Sequence, residues 1–258
     1  MPSAAFATHA GTMSRARSAF LKDRVMLITG AERGIGTHIG RAACEVGGSV
    51  VLTGNSEEML KLEAKKLKAE GFQALFAPMD VTNQDEVREV FTGVHERFGR
   101  LDVLVLNTGA GTFKPLVEHT LDDWYLQVQM NLTGTFLSMR EALRLMSYRR
   151  EGRIIVMNSM AARRPLPGPA SVYCATRTAL AELTDRVREE ARAMGVHILQ
   201  ILVDARQMAQ WDASLATSQP GTGDAAGANI ELARQVIMTL RIRSGALMEE
   251  MVLSPPIA

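Results

Sequence analysis

Seven short apolar runs recur along the chain: RVMLITG, SVVLTG, QALFAPMD, LDVLVLNTG, GRIIVMNSM, VHILQILVDA and EEMVLSP. Amphipathic helical patterns separate them, near residues 35–46, 57–70, 83–98, 120–148, 172–194 and 229–241. A strand that shows one clean polar face belongs to a sheet with one wet side. Continuous Val, Ile and Leu runs instead predict strands covered on both faces, and their alternation with helices predicts a parallel sheet. The expected fold is therefore α/β: a doubly wound parallel sheet of about seven strands with helices on both faces. With 258 residues and 47% hydrophobic content, the chain can bury the core of one such domain, expected over residues 22–258.

Two segments fall outside this rhythm. The first 22 residues contain no acid and carry Arg15, Arg17 and Lys22. They are expected to form a disordered extension over residues 1–21 of a cytoplasmic protein; a mitochondrial targeting peptide is the alternative reading. Residues 207–229, rich in Gly, Pro, Ser and Ala, predict a long loop that would shape a substrate pocket, with Trp211 read as packing.

Several function classes are excluded at this level. Lys plus Arg (29) nearly balance Asp plus Glu (28), so no global field favours nucleic acid or an acidic membrane. No apolar run reaches the roughly 18 residues of a membrane helix. Cys44 and Cys174 lack CxxC spacing and read as small buried hydrophobes, while the five histidines (9, 38, 95, 119 and 197) are scattered, so no metal site is expected.

The first apolar run ends in TGAERGIG, with Gly30, Gly34 and Gly36 ahead of a helix that opens near Ile35. Glycines there let the backbone turn tightly and approach a pyrophosphate, whose charge the N–H groups of the helix terminus can hold. A glycine triplet alone is a weak signal; its position between the first strand and the first helix strengthens it. NAD or NADP turns on the end of the second strand, where an acid would accept from the ribose 2′-OH and repel a 2′-phosphate. Gly54 and Asn55 stand there instead, and Arg33 can supply positive charge, so NADP(H) is favoured over NAD(H).

The Gly-x-x-x-Gly-x-Gly spacing resembles the TGxxxGIG signature of the short-chain dehydrogenase/reductase family, classical type. The resemblance continues through Asp80-Val81 after the third strand, NTG at 107–109 after the fourth, MNLTGTF with Asn131, and Ser159 placed before Tyr173. It implies a Rossmann-like fold, with Asp80 and Val81 bordering the adenine and Asn107 and Gly109 lining the cofactor cleft. It further implies a catalytic set: Tyr173 as general acid, Arg177 where the family has lysine, Ser159 on the substrate oxygen, and Asn131 supporting a proton-relay water. The chemistry needs such a set, because hydride arriving at a ketone carbon leaves an alkoxide that requires a hydrogen bond and a proton at once. A tyrosine, ordinarily near pKa ~10, serves at neutral pH only if a cation stabilises its phenolate.

Three departures matter. Arg177 replaces lysine and has a different reach, Leu106 opens the usual Asn-Asn-Ala-Gly, and Val203-Asp204 replaces Pro-Gly after the sixth strand. Two functions stay open: an NAD(P)-dependent oxidoreductase interconverting a carbonyl of ketone or 3-oxoacyl type and a secondary alcohol, or a non-catalytic dinucleotide-binding scaffold of the same fold. Arg163 and Arg164 are candidates for attracting an anionic substrate, beside the plainer reading of a solvated basic loop. Apolar positions on more than one face of the helices near 120–148 and 172–194, among them Leu132, Phe136, Leu137, Leu143 and Met146, predict a homodimer or homotetramer.

Overall fold

The computed structural model describes residues 19–164, 166–204, 223–241 and 247–254. In chain order the elements are β1 (Val25–Ile28), α1 (Gly34–Glu45), β2 (Ser49–Gly54), α2 (Glu57–Ala69), β3 (Ala74–Pro78), α3 (Gln84–Phe98) and β4 (Val103–Leu106). These are followed by α4 (Leu121–Val128), α5 (Gly134–Arg149), β5 (Gly152–Ser159), α6 (Ser171–Ala193), β6 (Val196–Val203), α7 (Gly223–Thr239) and β7 (Glu250–Leu253).

Seven strands form one sheet in the order β3-β2-β1-β4-β5-β6-β7, and every pairing is parallel. Burial explains the strand sequences: all four residues of β1 and of β4 are buried, so neither strand has a wet face on which polar residues would alternate. The core divides accordingly. On one face Ile39, Leu60 and Val236 bring α1, α2 and α7 against the sheet; on the other, Phe91, Leu137 and Leu180 do the same for α3, α5 and α6. The chain is thus a single Rossmann-like α/β domain, as expected from its pattern.

Local chemistry sets the helix ends. The Ser56 hydroxyl accepts from Met59 N–H at the start of α2, the Asn83 side chain accepts from Asp85 N–H at the start of α3, and Thr120 with Asp123 forms a capping box on α4. Helix α1 differs: its N-cap residue, Arg33, makes no side-chain cap bond.

The helical pattern anticipated near 120–148 runs unbroken from Leu121 to Arg149, with a π turn at Gln129–Thr133 between α4 and α5. One expectation needs correction. The last helix begins at Gly223 rather than 229, so the end of the anticipated loop is helical; Leu232, Ala233, Val236 and Ile237 bury its inner face. The rest of that loop, with Trp211, and residues 1–18 lie outside the described residues.

At the amino ends of the strands, the Asp102 carboxylate is buried and accepts from Val25 N–H (2.8 Å), from Arg24 (2.9 Å) and from Arg100. Burial pushes its pKa up, but these donors outweigh it and hold the carboxyl below the usual carboxylate range.

Candidate active site

The order of the sheet reverses at β1, which pairs with β2 on one side and β4 on the other. Outside the carboxyl ends of β1 and β4 the connecting chains diverge to opposite faces and leave a crevice, the usual ligand position in an open α/β sheet. Thr29, directly after β1, ties its two walls together: its hydroxyl accepts from Asn107 N–H (3.0 Å) and from Thr108 N–H (3.2 Å). The Asn107 amide group donates to Gly30 O at 2.9 Å.

Gly30 and Gly34 have φ of +62° and +61°, the left-handed region that L side chains rarely adopt. A methyl group at Gly36 would run into Gly30 O, so the turn after β1 is held in a tight coil by glycine at these positions. Arg33 is exposed at the head of α1, and Asn55 is exposed just beyond β2. Glu32, between Ala31 and Arg33, folds back so that its carboxylate lies against Gly54 at the end of β2.

Beyond β3, Asp80 turns its Oδ1 onto Thr82, accepting from the backbone N–H (2.9 Å) and the hydroxyl (2.8 Å). Val81 is buried and packs on Gly134, where a methyl group would come within 2.6 Å of Val81 Cγ2.

The anticipated catalytic group gathers from three elements: α6, β5 and the π turn after α4. Tyr173 and Arg177 lie one turn apart near the start of α6, and both are buried, at 1% and 4% exposure. The Arg177 guanidinium lies over the face of the Tyr173 ring, 4.9 Å from its centroid. Phe113, from the loop after β4, packs on the same ring with centroids 5.2 Å apart. A methyl group at Gly109 would overlap the Arg177 guanidinium, so a small residue there lets the larger cation fit where the chain passes.

Ser159 ends β5 with its hydroxyl accepting from Ala161 N–H at 3.1 Å, and Ala161 packs on Tyr173. That bond uses one lone pair and leaves the hydroxyl proton free to donate. Asn131 sits in the π turn, fully buried: its Oδ1 accepts from Ala110 N–H (2.8 Å), and its Nδ2 donates to Ala110 O (2.8 Å) and Thr176 Oγ1 (3.0 Å). Its side chain therefore joins the β4 loop to α6.

Residues that sequence reasoning passed over complete the group. Asn158 accepts from Ser159 N–H (2.8 Å) and donates to Arg177 O and Gln200 Oε1, both at 3.1 Å, so one amide aligns the ends of β5 and α6. Gln200 passes the chain of bonds to Glu250 (3.0 Å), which also accepts from Arg163 at 2.7 Å. Arg163 pairs with Asp185 as well, at 3.3 Å. This overturns the suggestion that Arg163 attracts an anionic substrate, since its charge is already met by two carboxylates; Arg164 is exposed. Only adjacency to known motifs (Asn158 beside Ser159, Phe113 after NTG) could have pointed to these residues.

Among the described residues, seven buried side-chain polar atoms lack a hydrogen-bond partner, and four of them belong to this crevice: Glu32 Oε2, Asn107 Oδ1, Thr108 Oγ1 and Arg177 Nε. Buried polar groups are nearly always bonded, so their concentration at one place marks a site built for a polar ligand.

Comparison with known proteins identifies the family. The short chain dehydrogenase family matches residues 24–210. A 3beta-hydroxysteroid dehydrogenase from Mediterraneibacter gnavus is 33% identical over 67% of this chain, the match spanning 63% of that relative's length. A 3-oxoacyl-[acyl-carrier-protein] reductase from Synechocystis sp. is 33% identical over 69% of this chain and 72% of its own. Among solved structures, a metagenomic short-chain oxidoreductase in complex with NADP superposes with a TM-score of 0.79 at 26% identity, covering 92% of this chain and 99% of that one. A glycine coil at the switch point, a buried Tyr173–Arg177 pair and a family match over most of the described chain lead to one conclusion: this chain belongs to the short-chain dehydrogenase family.

Proposed function

We propose that the protein is an oxidoreductase that interconverts a carbonyl, of ketone or 3-oxoacyl type, and a secondary alcohol with a nicotinamide dinucleotide. The single observation that carries this reading is the set of orphaned polar atoms in the crevice. Asn107, Thr108 and Arg177 present polar groups that a ribose-rich ligand can satisfy, and the coil of Gly30, Gly34 and Gly36 leaves room for a pyrophosphate at the uncapped end of α1. The residues present therefore fit a dinucleotide. NADP(H) is the form favoured by Arg33 and by the lack of an acid at Gly54 or Asn55. The names of the steroid dehydrogenase and the oxoacyl reductase agree with carbonyl and alcohol chemistry.

When bound, the nicotinamide supplies or accepts the hydride. The chain's own residues manage the oxygen. Ser159 donates its hydroxyl proton as a hydrogen bond to the substrate oxygen, an orientation left available by the bond from Ala161 N–H. Tyr173 gives its phenolic proton to that oxygen in reduction and takes it back in oxidation. Arg177 supplies positive charge beside the tyrosine and polar contacts to the ribose. Asn131 organises the relay by holding the Ala110 backbone and the start of α6 in one frame.

Turnover should vanish in Tyr173→Phe with dinucleotide affinity nearly unchanged, measured with ketones and 3-oxoacyl thioesters; retained turnover refutes the proton role. One observation favours the rival scaffold reading: the guanidinium rests on the ring face of Tyr173. If the native protein binds dinucleotide without turnover and Arg177→Lys gains it, the scaffold reading wins.

The proposed assembly is a homodimer or homotetramer. Of the five apolar residues named from the sequence, Leu137 and Met146 are buried and Phe136 alone is 47% exposed. The exposed surface continues on α4 through Leu121, Trp124, Tyr125 and Leu126, and this face can cover itself in a second copy. A monomer by light scattering at micromolar concentration would reject the assembly. The proposed location is the cytoplasm; among the described residues no helix is long and apolar enough to cross a membrane.

A further inference from the structure

Strand β2 ends without the acid that commonly reads an adenosine ribose, yet a carboxylate still occupies that position. Glu32 leaves the coil after β1 and crosses to the end of β2, where a methyl group built on Gly54 would overlap its Oε2. That oxygen is sealed from solvent and has no hydrogen-bond partner. Glu32 and Gly54 are separated by a helix and a strand in sequence, but by no more than one atomic contact in space. The absence of a side chain at residue 54 is what makes room for the carboxylate.

We propose that Glu32 stands in for the missing β2 acid: its carboxylate accepts hydrogen bonds from the adenosine ribose hydroxyls and repels a 2′-phosphate, opposing Arg33. This rests on the reading of the crevice as a dinucleotide site. The physical case has two parts. Glu32 as a whole is only half-buried, and a carboxylate oxygen with no donor in the chain gains the most from a new one. A 2′-phosphate brought to the same place would set two anions side by side near the end of β2, so the charge offered by the exposed Arg33 is partly cancelled. Selectivity between NAD(H) and NADP(H) is then decided by a pair of adjacent residues in the phosphate coil, and not by β2.

The test uses the full chain and two nicotinamide-free probes, ADP-ribose and its 2′-phosphate, titrated by calorimetry against the native protein and Glu32→Gln. The substitution keeps size and removes charge, so the ADP-ribose dissociation constant should rise and that of the 2′-phosphate probe should fall. The ratio of the two should move by about tenfold or more, the scale expected of a charged hydrogen bond. A ratio that stays within about twofold of the native value, with both probes still bound, overturns the role of Glu32 and leaves the dinucleotide site standing. If the native protein binds neither probe, the dinucleotide reading falls and this proposal falls with it. Thermal melting of Glu32→Gln should not fall below that of the native protein, because Oε2 bonds nothing in the fold.

Discussion

Removing the charge of Arg177 should stabilise the ligand-free protein. The side chain is 4% exposed, its Nε has no partner, and among the described residues no carboxylate pairs with it. A sealed orphan donor alone costs about 1–3 kcal/mol, and an unpaired buried charge adds to that. Against this stands the contact with the Tyr173 ring at 4.9 Å, a cation–π interaction of about 0.5–2 kcal/mol. Arg177→Met keeps most of the apolar stem and introduces a flexible side chain that adapts to the space, so its packing penalty stays below about 1.5 kcal/mol. The central expectation is a net gain of about 1 kcal/mol, a rise in Tm of roughly 2–4 °C for a domain of this size. Calorimetric melting without ligand measures it. Addition of NADPH at about 100 times its Kd should stabilise the native protein by a further ~2.7 kcal/mol and the variant by far less. A ligand-free Tm that falls by several degrees would refute the reasoning, because it would mean that the guanidinium is satisfied within the fold and is not held ready for a ligand.

Two other substitutions probe the frame around the site. Gly109→Ala sets a methyl group onto the Arg177 guanidinium and 3.0 Å from Asn131 Oδ1; overpacking of about 1–3 kcal/mol and a loss of turnover of tenfold or more are expected, read by melting and by initial rates. Asp102→Asn tests the carboxylate at the far end of the strands. Its folded pKa is depressed, so its contribution is present above the unfolded value near pH ~4 and is lost as pH falls through the folded one. The variant should lose about 2 kcal/mol at neutral pH and show a flatter acid limb in urea melts taken across that range; an unchanged limb would remove Asp102 from the acid response.

The architecture is legible in the residues because its information is local. An unbroken apolar run such as VMLI in β1 can be satisfied only where both faces are covered, and the alternation with amphipathic segments leaves one sheet type to choose. Gly30, Gly34 and Gly36 are readable for a similar reason: a coil with positive φ at two positions needs glycine wherever it occurs. Helix detail is less secure. The π turn around Asn131 adds less than one turn to an apolar period that continues on either side, so the spacing conceals it, and the Gly- and Ala-rich start of α7 has no stripe until Leu232.

What the residues by themselves determined, then, is the doubly wound sheet, the place of the glycine coil, and the pairing of Tyr173 with Arg177 one turn apart on a helix. Tertiary structure alone decided what those groups meet. Arg163 became a strut between Asp185 and Glu250, Asn158 became the clamp on Ser159 and Arg177, and Glu32 reached the end of β2. The physical reason is the range of the interactions. Backbone periodicity is set by neighbours three or four positions away, whereas contacts such as Asn158 with Arg177 and Arg163 with Glu250, across 19 to 87 positions, exist only after the sheet has brought distant strand ends together.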